Sequence, residues 1–303
     1  MATFETKLAF ATVFACALGN AQAADPQFTS FDVPGATVGS LYISGINSDG
    51  TVVGNFTTAD GSQVGLIRAP SGRLTAPIID PANPAFTFLR SINDEGTIAG
   101  YDCDAVTCHG FTLDDGHFTM RDMPGAFLTF VFAINNRGDL AGTFYSADPN
   151  DPGTGFIAPR RGDPIVFPSP KPATLNFLVE SVNDQRAAAG YGFISAGLNI
   201  EVFGFLRRPD GAFVDVAFPG ATQTRVFGVN DCGIVVGAYF IAPLQQHGFY
   251  GRPGALKTLD VPLARVSYPY GISNDGRIVG AYFDTAAVDH GFVTAPIDEA
   301  ACD

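Results

Sequence analysis

The sequence predicts an all-β chain, a six-bladed β-propeller of four-stranded antiparallel blades. Three observations carry that expectation. A turn motif recurs six times at spacings of 42 to 48 residues, from Gly45-Ile46-Asn47-Ser48-Asp49-Gly50 through copies around Asn93, Asn135, Asn183, Asn230 and Asn274. Self-similarity at that period marks one supersecondary unit used repeatedly. The composition, with 27 Phe, 9 Tyr, 35 Gly and 21 Pro, suits short strands punctuated by tight turns, and no long amphipathic helical pattern interrupts it. The chain opens on an outer-type strand, Phe28-Thr29-Ser30-Phe31-Asp32-Val33, and its last strand pattern is Phe292-Val293. An N-terminal strand of this kind can complete the last blade, which places Phe31 near the 290s. An open β-solenoid is the runner-up, but its repeats are usually shorter.

Residues 1–23 read as a secretory signal peptide. Lys7 supplies the n-region, Leu8 to Leu18 an apolar stretch too short to span a bilayer, and Ala21-Gln22-Ala23 a small-x-small cleavage site. The mature protein is expected to start at Ala24, and 24–303 to form one domain. No later stretch has the length of a spanning helix, so no membrane anchor is expected and the protein should be periplasmic or extracellular. The net charge of −13 disfavours nucleic acid and anionic lipid as partners.

Each copy reads as four strands. In the fifth, Ala212–Phe218, Thr222–Val229, Ile234–Phe240 and His247–Tyr250 are separated by turn residues. In the central turn, Asn and Asp bond their own backbone and tolerate left-handed dihedrals, while Gly closes the turn where φ must be positive. These glycines are Gly50, Gly96, Gly138, Gly233 and Gly276. Copy four has Arg186 instead, so its turn should be strained or differently shaped, and copy six has Ser273 in place of the Asn. A second glycine follows four residues later, at Gly54, Gly100, Gly142, Gly190, Gly237 and Gly280; such residues mark bulges or close backbone approaches and suit inner strands converging on an axis. Apolar positions align as well: Ile46 and its equivalents before the turn, Val52 and its equivalents after it, and Phe111, Phe156, Phe205, Phe249 and Phe292 (Leu66 in copy one) beyond. One four-stranded sheet cannot bury both faces, so neighbouring sheets must cover them.

Cys16 leaves with the signal, and four cysteines remain in an oxidising compartment. Cys103 and Cys108 flank a hairpin tip and are expected to pair; a metal site at Asp102, Cys103, Cys108 and His109 is the weaker alternative. Cys232 and Cys302 are then left as a second pair by elimination.

The combined pattern is Asp-Val-Pro-Gly-Ala (Asp32–Ala36, with Asp122–Ala126 and Asp260–Pro262 alike), the six turns, and His-Gly-Phe at His109, His247 and His290. It resembles the HAF-repeat family of bacterial extracellular repeat proteins over nearly the whole mature chain. The resemblance implies export and a repeat fold, and it implies no established chemistry or catalytic residues.

No nucleophile elbow and no His-Glu-x-x-His are present. His109, His247 and His290 occupy one repeat position and should therefore lie far apart, as polar residues capping a strand. The turns faintly resemble the aspartate boxes of sialidases, but those need a Trp and the chain has none. No cofactor is expected. Calcium is the best candidate, at the oxygen-rich loop of Asp148, Asn150 and Asp151, which lacks EF-hand spacing and reads better as a hairpin loop rich in turn formers. The leading functional expectation is a non-enzymatic exported scaffold that binds an extracellular ligand or protein through loops such as 146–154 and 195–202. The alternative is a hydrolase or lyase whose residues meet at the central channel. Clustered carboxylates of raised pKa would favour it, and a channel mouth without charged or His residues would count against it. A purely structural surface component is the third reading.

Overall fold

A computed structural model describes residues 26–83, 85–197, 199–242 and 245–302. The expected signal peptide and its cleavage site lie outside the described residues. Among the described residues, twenty-four strands form six four-stranded antiparallel sheets. Blade 1 comprises β2 (Tyr42–Ile46), β3 (Val52–Thr57), β4 (Gln63–Arg68) and β5 (Leu74–Ile78); blade 2, β6 (Thr87–Ile92), β7 (Ile98–Cys103), β8 (Cys108–Asp114) and β9 (His117–Met120). Blade 3 comprises β10 (Leu128–Ile134), β11 (Leu140–Tyr145), β12 (Thr154–Ala158) and β13 (Ile165–Phe167); blade 4, β14 (Thr174–Val182), β15 (Ala188–Ala196), β16 (Asn199–Arg207) and β17 (Phe213–Val216). Blade 5 comprises β18 (Gln223–Val229), β19 (Val235–Ala242), β20 (Gln245–Arg252) and β21 (Ala255–Thr258). Blade 6 takes β22 (Val266–Ile272), β23 (Ile278–Phe283), β24 (Asp289–Thr294) and, as its outer strand, β1 (Phe28–Phe31).

The innermost strands touch in the cyclic order β2, β6, β10, β14, β18, β22 and back to β2, which closes a six-bladed propeller. The first and last strands seal the ring: Phe28 pairs with Thr294 and Phe31 with Gly291. The sequence repeat and the blade are offset by one strand. The segment that opens the fifth repeat, Phe213–Val216, pairs with β16 as the outer strand of blade 4. This correction follows from the same closure: each repeat begins on the outer strand of the preceding sheet, so the first repeat begins on the last blade.

The core is divided into six apolar clusters, one at each interface between blades. The repeated aromatic position is at their centre, with Phe111, Phe156, Phe205, Phe249 and Phe292 fully buried, as is Leu66. Burying each ring contributes about 1.5–3 kcal/mol, and no blade can collect that energy without its neighbour.

The turn asparagines do two jobs. Asn93 Oδ1 accepts the Thr97 N–H at 2.9 Å and closes its own turn, while Asn93 Nδ2 donates to the Asn135 carbonyl of the next blade at 3.3 Å. The same pair of bonds recurs at Asn47, Asn135, Asn183 and Asn230. A parallel series runs one residue further on, where the backbone N–H groups of Ser48, Asp94, Asn136, Asp184 and Asp231 each donate to the side chain of the equivalent residue in the following blade. Ser273 is too short to continue the first series; there the Arg277 guanidinium bonds the Ser48 carbonyl at 3.1 Å. Arg186 keeps the turn shape at a φ of 63° and anchors on Asp139 at 2.8 Å.

Both disulfides form. Cys103 and Cys108 are register partners across the β7–β8 hairpin, which sets aside the alternative metal site because both thiols are consumed. Cys232–Cys302 ties the C-terminal segment to blade 5. Disulfides suit an oxidising, exported environment. Among the described residues no helix is long and apolar enough to cross a membrane.

Candidate functional site: the propeller axis and its two faces

Every innermost strand carries a β-bulge at the same place. The register skips Ser44, Arg90, Phe132, Glu180, Phe227 and Tyr270. A bulge re-aims the extra side chain, and all six line the channel. The second-strand glycines are explained here. A Cβ on Gly54, Gly100, Gly142, Gly190, Gly237 or Gly280 would come within 1.9–2.3 Å of the carbonyl oxygen of Tyr42, Phe88, Phe130, Leu178, Arg225 or Tyr268. They therefore accommodate the bulge, and the expectation that they ring the axis is corrected. The small residues nearest the axis follow the bulge, at Gly45, Ser91, Ala133, Ser181, Gly228 and Gly271; a Cβ on Gly271 would meet the Ser44 carbonyl at 2.7 Å.

The bulged residues plug the channel. Arg90 Nη2 reaches Glu180 Oε2 at 2.5 Å and donates to Tyr42 Oη at 3.0 Å. The two charged side chains are 11% and 6% exposed. The guanidinium lies over the rings of Tyr42 and Phe132, and the Tyr42 ring packs against that of Tyr270, tilted by 37° with centroids 4.0 Å apart. Burial pushes the Glu180 carboxyl above its ordinary value against the opposing pull of Arg90, and it also raises the Tyr42 and Tyr270 phenols. On the side of the Asn turns, the channel has a cavity of about 90 Å³, room for roughly three waters at about 30 Å³ each. Asp94, Asp184 and Asp231 line its mouth, and each already accepts a backbone N–H of the preceding blade.

The opposite face carries the connections between second and third strands and those between blades. Among the described residues twelve large apolar side chains are exposed: seven lie in these connections (Val38, Ile79, Phe86, Val106, Phe127, Leu263 and Val288), Leu175, Ile200 and Ile241 stand on strand ends beside them, and Met120 and Val166 lie on outer strands. Leu263 is 90% exposed. Near the channel on this side, Arg225 is set among the rings of Tyr191, Phe193 and Phe240 at 5.3–5.6 Å. Its Nε is buried without a partner, and the guanidinium has no ion pair among the described residues.

The three equivalent histidines stand on separate blades, 2, 5 and 6, and each pairs with an aspartate. His109 Nδ1 lies 2.7 Å from Asp122, His247 Nδ1 2.6 Å from Asp260, and His290 Nδ1 2.5 Å from Asp32. The co-occurrence of Asp-x-Pro with His-Gly-Phe in the same blades was the available signal. In the candidate calcium loop, Asp148 accepts the Asn150 N–H, and Asp151 accepts those of Ser146 and Gly153. These carboxylates close turns. Asp102, read from the sequence only as a ligand of the alternative metal site, is a buried carboxyl, 4% exposed and bonded to Asn83; burial, with Asp80 beside it, pushes its pKa up to about 6.

The fold and this axis define a six-bladed β-propeller with a closed strand seal. No protein-family model matches the chain, and no curated protein matches it. Solved structures do. A gluconolactonase from Xanthomonas campestris aligns with a TM-score of 0.52 and 13% identity over 90% of this chain and 95% of its own. A triple arginine mutant of AofleA from Arthrobotrys oligospora aligns with a TM-score of 0.50 and 14% identity over 89% and 86%. A prolyl endopeptidase aligns with a TM-score of 0.47 and 14% identity over 91% of this chain but 42% of its own, so the chain spans less than half of that enzyme. At these identities the likeness is one of fold.

Proposed function

We propose that this protein is an exported, non-enzymatic binding scaffold of the HAF-repeat kind, periplasmic or extracellular, which engages an extracellular ligand or protein through its loop face. The observation that carries the reading is the distribution of exposed large apolar side chains, ten of the twelve among the described residues lying in or beside the connections of the loop face. Loops on a rigid scaffold are where binding residues concentrate. Arg225, without an ionic partner and flanked by aromatic rings, adds a cation suited to an anionic or polar group of the ligand. The plugged axis supports the same reading, because the cavity beside the Arg90–Glu180 pair is too small for a sugar or a peptide.

The test is capture of periplasmic and extracellular proteins and glycans by the wild type and by a loop-face variant carrying Val106→Ser, Ile200→Ser and Leu263→Ser. Binding should fall in the variant while the melting profile stays put. A hit indifferent to these substitutions would overturn the reading. The hydrolase or lyase alternative has Glu180, a channel carboxyl of raised pKa, in its favour. Turnover of any substrate that Glu180→Gln abolishes without unfolding the protein would replace the scaffold reading with that one.

A further inference from the structure

The C-terminal segment shows what one groove of this propeller accepts. After β24 the chain crosses the turn face and enters the cleft between blades 5 and 6, where Asp298–Ala300 form one 3₁₀ turn. Ala300 is fully buried, and with Ile297 it joins the apolar cluster of that interface. Asn230 Nδ2 donates to the Ala300 carbonyl at 2.7 Å, the Ile297 N–H donates to the Gly276 carbonyl at 3.1 Å, and Glu299 is held by Tyr250 and Lys257.

Half a turn round the ring, the equivalent cleft between blades 2 and 3 is open, with a volume of about 430 Å³, inside the ~300–1,000 Å³ typical of ligand sites. Its walls correspond position by position. Asn93 stands where Asn230 does, and Gly138 where Gly276 does; the Gly138 carbonyl has no donor among the described residues. Thr112 and Thr119 replace Tyr250 and Lys257. The cation that Lys257 supplies to Glu299 is replaced by Arg121, whose Nε donates to Thr112 Oγ1 at 3.0 Å and which has no carboxylate partner among the described residues.

We propose that the cleft between blades 2 and 3 binds a short acidic peptide segment of a partner protein, in the way the cleft between blades 5 and 6 holds this chain's own tail. A backbone N–H of the peptide donates to Gly138, one of its carbonyls accepts from Asn93, a small apolar side chain enters the interface, and a carboxylate pairs with Arg121. The occupant carries a carboxylate because Arg121 beside Thr112 is unpaired, whereas of the other charged groups lining the cleft Glu95 pairs with Arg160 at 3.6 Å, Asp122 pairs with His109 at 2.7 Å, and Asp114 stands at the end of β8; it is a peptide because the backbone donor and acceptor are placed as they are around Ala300. The groups that would hold the peptide backbone, Asn93 and Gly138, lie on the turn face, so the site stands or falls independently of the scaffold reading above.

The test uses a synthetic peptide copying residues 296–302, amidated, with serine in place of the cysteine. It is titrated into the full oxidised protein and followed by amide NMR shifts. Binding with a Kd on the order of 1 mM or tighter is expected, with shifts at Thr97, Arg121 and Gly138. Arg121→Ala should weaken it roughly tenfold, as should a Glu→Gln change in the peptide, the loss expected for a charge-assisted hydrogen bond. The variant's own spectrum and melt report whether it is folded. No shifts up to several times that concentration, shifts confined to the loop face or to blades 5 and 6, or binding indifferent to Arg121→Ala would each overturn the proposal.

Discussion

Removing the Arg90 guanidinium should be among the most destabilising single changes at the axis. In Arg90→Met the aliphatic stem is retained, while Glu180, 6% exposed, loses the cation paired with it at 2.5 Å. Breaking a buried pair by deleting one partner costs about 3–5 kcal/mol, because the remaining charge is left in a low-dielectric site. Glu180 can escape by taking up a proton, and burial already raises its carboxyl. The loss should therefore shrink on acidification from pH 8 to pH 5. The double variant Arg90→Met/Glu180→Met removes both charges, and such replacements are neutral or stabilising by about 1–4 kcal/mol. It should recover most of the loss, which gives a strong coupling in the double-mutant cycle. The chain has no Trp, so urea unfolding is followed by circular dichroism or Tyr fluorescence. A loss under about 1 kcal/mol in Arg90→Met, or a double variant as unstable as the sum of the two single changes, would refute the reasoning, since an axis that tolerates an unpaired Glu180 must be wet.

Asp102→Asn should stabilise the protein at pH 7.5 by about 1–3 kcal/mol and have little effect at pH 4. The folded pKa near 6 lies above the unfolded one, so the charged form is penalised above pH 6 and the penalty vanishes below about pH 4. Equal melting shifts at both pH values would refute this. His290 is pulled down by burial but raised overall by its bonds to Asp32 and Asp284. Its contribution is therefore complete below its unfolded value near 6.5 and fades as pH rises through the folded one. His290→Gln should cost more at pH 5.5 than at pH 8.5, within about 1 kcal/mol, and a cost independent of pH would contradict the pairing. Replacing Cys232 and Cys302 by serine reopens a loop with a sequence separation of 70; chain entropy gives a loss of about 4 kcal/mol, against about 2 kcal/mol for the Cys103–Cys108 loop. Equal losses in the two serine variants would show that the tail contributes nothing through its tether.

Much of the architecture could be read from the residues because it depends on features that a repeat writes six times. The Asn-x-x-Gly turn, the aromatic position of Phe111 and Phe249, and the small residue at Gly54 and Gly237 each answer a local requirement: a positive φ, an inter-blade core, a bulge carbonyl. A requirement repeated in every blade appears as an aligned column, and β1 at the opposite end of the chain implied the seal. Pairing by elimination was enough for Cys232 and Cys302. The boundary of a blade was not legible, since a strand gives no sign of which of two neighbouring sheets it joins.

The functional features fall where the columns break. Ser44, Arg90, Phe132, Glu180, Phe227 and Tyr270 share a position and no chemistry, so alignment of the repeats passes over them; only ring closure brings Arg90 and Glu180, 90 residues apart in sequence, to one point on the axis. Likewise, nothing local in Arg121 or Ala300 says that one groove is filled by the tail and its counterpart half a turn away is open. Short-range sterics and the need to hide apolar faces determined the six-bladed ring from the sequence by itself. Which side chains face one another across it, and at what burial and charge, was decided by the tertiary structure alone, because those interactions depend on distances that only closure of the ring sets.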